Sequence, residues 1–244
     1  MNVKLILEFE GTNYSGWQKQ QNSNSIQGVI EDKLSQLTGE EIDVIGCGRT
    51  DAGVHARKYT CNFNTNTSIQ PDRIYLALNK LLPCDIVAIN SKLASDNFHS
   101  RYNAKLKSYS YTLSLRKVRS AICRNFCFDV NSDVSIEKMI EASKHIIGLH
   151  DFTVFRNTGS SNKNPIRNVT DLKIIKQDGF IKIYITADGF LYNMARIISG
   201  TLLGVGTLKI TPSDIDEMFR TSIRDKACVT LPAHGLCLEE VYYS

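Results

Sequence analysis

Residues Gly46 to Ala56 read Gly-Cys-Gly-Arg-Thr-Asp-Ala-Gly-Val-His-Ala, a glycine-punctuated turn that leaves a predicted strand and carries Arg49 two residues before Asp51. Glycines at such spacing let the backbone turn sharply and let a substrate approach closely. A carboxylate held on a loop of this kind can act as a nucleophile or take a proton, and a nearby guanidinium can keep it ionised and oriented. The same pair could also do no more than lock the turn as an ion pair. The loop is not a phosphate-binding P-loop, which ends in Lys followed by Ser or Thr, and the spacing after Gly48 does not fit the dinucleotide fingerprint. His55 is open to two readings, contact with a nucleic acid or packing of the loop.

Other residues of chemical interest lie far along the chain. Arg196 sits among Leu191, Met194, Ile197 and Ile198 in a mostly apolar helical stretch, so its charge is either exposed or aimed at a specific partner. Tyr109 and Tyr111 alternate in a strand pattern and read, on spacing alone, as core residues. Trp17, flanked by Gln18, Lys19 and Gln20, is either an exposed stacking aromatic or the anchor of the first half. Residues Asn97 to Phe128 hold seven bases, among them Arg116, Lys117 and Arg119, and no acid; Phe152 to Thr170 hold three, Arg156, Lys163 and Arg167, again with no acid. The chain as a whole carries 29 bases against 25 acids, so positive charge is segregated, as a polyanion-binding surface requires. Solvated loops are the plainer reading. The seven cysteines contain no C-x-x-C, the histidines lack metal-ligand spacing, and no secretory signal or long apolar run is present, so the expectation is a cytoplasmic protein with reduced thiols, no metal and no membrane span.

The elements that must position these residues follow from periodicity. Val3, Leu5, Leu7 and Phe9 alternate as a half-buried strand; Ser25 caps a predicted helix bearing Ile26, Ile30 and Leu34, ended by Gly39. Strands are predicted over 42–47, 59–64, 86–93 and 106–115, with a helix from Pro71 stopped by Pro83. The second half repeats the mixture: helices over 135–147, 190–203 and 212–220, strands over 169–176 and 180–187 joined by Asp178-Gly179, and a last strand over 236–242. Antiparallel strand pairs mixed with helices make this an α+β chain, divided as 1–104, carrying the Asp51 loop, and 105–244.

The run GRTDAGVHA resembles the catalytic loop of the TruA family of tRNA pseudouridine synthases, which act on the anticodon stem-loop. The resemblance continues in order through FEGTNYSGWQKQQNSNSIQGVIEDKL, FHSRYNAKLKSYSYTL, HDFTVFRN, NPIRNV, DGFLYNMARIISGTLLGVG and LPAHGLCLEEVYY, nearly the whole chain. Departures are mild: Asn103, Leu106 and Ser108 in the tyrosine motif, and Cys228 to Leu231, where the family is richer in alanine and threonine.

The resemblance implies two ferredoxin-like halves with mainly antiparallel sheets joined side by side around a basic cleft, in a homodimer. It implies isomerisation of uridine at positions 38, 39 and 40 of tRNA, with Asp51 as catalytic carboxylate, Arg49 and Arg196 as active-site arginines, and Tyr109 stacking on the uracil with its hydroxyl placed for a proton step. Leu236 would pack against the base, and Arg116, Lys117 and Arg119 would meet the tRNA. The reaction changes no redox state and consumes no water overall, so it demands no cofactor or metal. A pure RNA-binding module would explain the bases but not the Arg-Thr-Asp loop, and a glycosidase would call for a second carboxylate that no paired motif supplies.

Overall fold

The computed structural model describes residues 1–157, 159, 164–225 and 228–243. The chain divides into two compact units, Met1–Lys105 with Cys237–Ser244, and Leu106–Leu236. The terminal strand therefore groups with the opening residues rather than with those that precede it.

In the first unit β1 (Asn2–Phe9) lies antiparallel between β3 (His55–Asn64) and β4 (Ile86–Leu93), and the short β2 (Ile45–Gly46) pairs with β3. The resulting order, β4-β1-β3-β2, with α1 (Ile26–Thr38) after β1 and α2 (Ile74–Leu78) after β3, is the ferredoxin-like split arrangement. The periodicities are realised as packing: Val3, Leu5 and Leu7 of β1 and Ile26, Ile30 and Leu34 of α1 are all 0% exposed. Ser25 caps α1 by accepting from the Gly28 N–H at 3.2 Å, and Gly39 ends it at φ 74°. The strand predicted over 42–47 shrinks to two residues for a definite reason. The Ile42 N–H donates to Ser35 Oγ and the Val44 N–H to Glu31 Oε1, so this backbone bonds to side chains of α1 instead of to a neighbouring strand. β10 (Leu236–Tyr242) joins β3 in parallel, Cys237 opposite His55 and Leu238 opposite Ala56.

In the second unit β5 (Leu106–Ser114), β9 (Phe180–Ala187), β8 (Ile166–Gln177) and β7 (Gly148–Asp151) pair antiparallel in that order, and β6 (Phe128–Asp129) pairs parallel with β5. Asp178 and Gly179 turn the β8–β9 hairpin at φ 50° and 80°, the two positive angles that an Asp-Gly pair supplies. α3 (Ile136–Ser143) is shorter than predicted, because tight three-residue hydrogen bonds at His145 and Ile146 replace its last turn. α4 (Met194–Gly206) begins four residues later than the expected Phe190: Asn193 is left-handed at φ 62°, which a continuing helix cannot accommodate. α5 (Pro212–Thr221) opens on a Thr211–Asp214 capping box. The fold is thus α+β, and no described helix is long and apolar enough to cross a membrane. All seven cysteines are free thiols.

Candidate active site

In the first unit the Asp51 loop is fixed by main-chain contacts. Trp17 and Tyr59 stack at 4.0 Å, and a β-carbon on Gly46 would fall 2.2 Å from the Tyr59 hydroxyl, so only glycine lets the chain pass them. That hydroxyl donates to the Gly48 carbonyl. On the other side the Trp17 N–H donates to Thr50 O at 3.1 Å, and Gly16, at φ 95°, brings its backbone so close that a β-carbon would lie 2.4 Å from the same oxygen. The Val54 N–H then closes a turn onto Asp51 O at 3.2 Å. Thr50 and Val54 are buried, Asp51 is half-buried and Ala52 is exposed, so the turn lifts the carboxylate from a fixed base.

The structure shows the surroundings of three residues that the sequence leaves open to two readings. Trp17 is 2% exposed and stacked on Tyr59, so it anchors the unit and is not an exposed aromatic. His55 is 4% exposed, and its Nδ1 accepts from the Gly11 N–H at 3.0 Å, so the ring carries its proton on Nε2 and braces the loop from behind. Arg49 is exposed, and among the described residues it makes no hydrogen bond or ion pair, so an Arg49–Asp51 pair is not what locks the turn.

The second unit holds the other matched residues. Tyr109, on β5 opposite Ile185, is 9% exposed and meets Phe190 edge-on with ring centroids 4.8 Å apart. Every residue of α4 except Arg196 is buried. The Arg196 Nε donates to Leu231 O at 2.6 Å and its Nη1 to Asn193 Oδ1 at 2.7 Å. The next carbonyl, that of Pro232, accepts from the Tyr111 hydroxyl at 2.8 Å. Burial raises the Tyr111 phenol, and the charge of Arg196 partly opposes the rise. A β-carbon on Gly200 would fall 2.0 Å from Val229 O, so glycine lets the segment before Pro232 lie directly on α4. Leu236, 6% exposed, follows this segment at the start of β10.

Sequence reasoning missed Asn193 and Tyr111 as the groups that hold Arg196 and its neighbouring segment. The Asn before a helix was a legible signal for a left-handed residue; the acceptor carbonyls were not legible at all. Arg116, Lys117 and Arg119 are exposed in the loop after β5, and among the described residues none of the three is ion-paired. Lys163, and most of the polar loop over 157–164, lie outside the described residues. Among the described residues no group of three His, Cys, Asp or Glu could hold a metal ion.

The family model described as tRNA pseudouridine synthase matches residues 5–103 and 142–244, spans that contain Asp51, Arg196 and Leu236. The tRNA pseudouridine synthase A of Clostridium acetobutylicum is 51% identical over 99% of both chains. Those of Acetivibrio thermocellus and Clostridium perfringens, the latter designated A 2, are 46% and 45% identical over the same shares. A chain of a solved Cbf5-Nop10-Gar1 complex superposes with a TM-score of 0.39 at 12% identity, covering 82% of this chain and 54% of that one, a likeness too loose to carry weight. Identity sustained end to end, with the Arg-Thr-Asp turn and the α4 arginine both inside the matched spans, leaves one assignment: the chain belongs to the tRNA pseudouridine synthase family.

Proposed function

We propose that this chain isomerises uridine to pseudouridine at positions 38, 39 and 40 of the tRNA anticodon stem-loop, with Asp51 as the catalytic carboxylate. The observation that carries the reading is the Asp51 turn, its carbonyls pinned by the main-chain N–H groups of Trp17 and Val54 and by the Tyr59 hydroxyl while the carboxylate stays partly open. The reaction breaks the C1′–N1 bond, turns the freed uracil and joins it again through C5. A carboxylate must act as a nucleophile or accept a proton, and a fixed mount lowers the reorganisation it needs. Arg196, its guanidinium plane set by Leu231 and Asn193, stabilises developing negative charge, and Arg49 serves the same substrate. Tyr109 supplies a ring for the base and a hydroxyl for a proton step, and Leu236 an apolar contact. No cofactor or metal is called for. The same reading makes the protein a cytoplasmic homodimer.

Incubation with an unmodified tRNA transcript carrying uridines at 38, 39 and 40 tests the reading. Pseudouridine mapped to those positions is the expected product; released uracil would make the protein a base-excising hydrolase, and unaltered bound RNA a binding module.

The basic loop gives a second expectation. Replacing Arg116, Lys117 and Arg119 together by Ala should weaken tRNA binding and flatten the plot of log affinity against log salt, by up to about 0.9 for each duplex phosphate that is no longer neutralised. Titrations at several salt concentrations measure both. An unchanged slope with unchanged affinity would make this loop merely solvated.

A further inference from the structure

A second binding feature lies beside the Asp51 loop, wholly within the first unit. A cavity of about 200 Å³ is lined by Gln18, Gly48, Arg49, His99, Arg101 and Tyr102, among others, and no carboxylate is among its lining residues. Like Arg49, Arg101 forms no ion pair among the described residues; its guanidinium only approaches the Tyr102 ring, at 5.8 Å. Two unneutralised guanidiniums facing one cavity call for an anion. Tyr102 is 76% exposed, with His99 against it at 4.2 Å between centroids, so much of a flat aromatic surface stands open to solvent.

The main chain that carries this exposed ring is held in place on both sides. Ser100 is fully buried: its N–H donates to Asn62 Oδ1 at 2.9 Å, its hydroxyl to Ile45 O, and its carbonyl accepts from the Tyr243 hydroxyl at 2.7 Å. His99 is tied to Asn103 through both main chain and side chain, and its Nδ1 accepts from the N–H groups of Arg101 and Tyr102 at 3.2 and 3.3 Å. With its backbone held and His99 packed against it, the ring can accept a stacked base with little main-chain ordering at binding.

We infer that Arg49, His99, Arg101 and Tyr102 form a nucleotide subsite for the RNA strand itself, gripping a residue that flanks the reacting uridine, its base on Tyr102 and its phosphate between the two arginines. The inference rests on the tRNA reading above. Arg49 and Asp51 are two residues apart, at most about 7 Å of chain, which is on the scale of one nucleotide step. Arg49 is thereby assigned to the phosphate and not to the carboxylate.

The test is binding of an unmodified anticodon stem-loop RNA by the full-length protein across a salt series. Tyr102→Ala should lower affinity on the order of 10-fold with the salt slope unchanged, while Tyr102→Phe restores affinity. Arg101→Ala should lower affinity and also flatten the slope, by about 0.7 if the contacted phosphate is single-stranded. With 2-aminopurine placed next to the target uridine, quenching on binding should be strong and should disappear in Tyr102→Ala. Wild-type affinity in both Ala variants, or quenching indifferent to Tyr102, would overturn the subsite. Binding and product are read separately: a wild-type protein that makes no pseudouridine but loses RNA with Tyr102→Ala refutes the isomerase reading and keeps the subsite.

Discussion

Asp51→Asn protein should fold, bind tRNA within about threefold of wild-type affinity, and form pseudouridine at least roughly 10⁴-fold more slowly, the upper range of what one positioned acid-base group contributes. Folding should survive because the bonds that shape the turn use the main chain of residues 48, 50 and 51, through Tyr59, Trp17 and Val54, and an amide of the same size leaves them in place. Affinity should survive because tRNA binding draws mainly on cations, of which the substitution removes none. The chemistry should not, since a neutral amide can neither add to carbon nor take up a proton at useful rates. Asp51→Glu keeps the charge but moves it by a methylene, and a misplacement of about 1 Å can cost about 10²-fold. Joining the base through C5 expels the hydrogen there, so tritium release from C5-labelled uridine follows every turnover. Near-normal release by the Asn variant would remove Asp51 from the mechanism.

What the sequence made legible, and what it hid, divides along a physical line. β1, α1, β4, α5 and the β8–β9 hairpin were readable because each carries its own signal: alternation, caps, or a two-residue turn. β2 and the start of α4 were misread because their limits are set by side-chain partners and a left-handed backbone angle, which apolar periodicity does not encode. Ile42 and Val44 bond to α1 side chains, and Asn193 takes a left-handed angle that lets its amide meet Arg196. The site shows the same split. Asp51 stood out through the resemblance of its loop, since glycine spacing alone left a turn-locking ion pair open, and the reason for Gly16 and Gly46 emerges only when Thr50, Trp17 and Tyr59 are seen against them. Trp17 looked exposed because its neighbours are polar; its ring stacks on Tyr59, which no local pattern encodes. Tyr102, in contrast, drew no attention in sequence, since its exposure and the anchoring of the neighbouring Ser100 on Asn62 are both tertiary facts.

Arg196→Lys should keep the charge and lose the reaction, with single-turnover rate on bound tRNA reduced by about 10² to 10³, the range for removing one donor to developing charge. The guanidinium spends Nε on Leu231 O and Nη1 on Asn193 Oδ1, two bonds from one plane that fix its orientation. A lysine has one nitrogen on a flexible stem and cannot satisfy both acceptors while presenting a fixed plane to substrate. Some stability will go as well, about 1–3 kcal/mol if the Leu231 carbonyl is left without a partner. That loss is also what a purely structural arginine would show, so the rate at saturating RNA, measured on protein verified as folded, is the deciding readout. Asn193→Gly sharpens the comparison: glycine accepts the left-handed angle at φ 62° and removes only the side-chain acceptor. If orientation of the fork is what matters, this variant should fall between wild type and Arg196→Lys in rate, with little change in stability. A lysine variant that melts earlier yet reacts at the wild-type rate would reduce Arg196 to a brace for the segment before Pro232 and leave charge stabilisation to other groups.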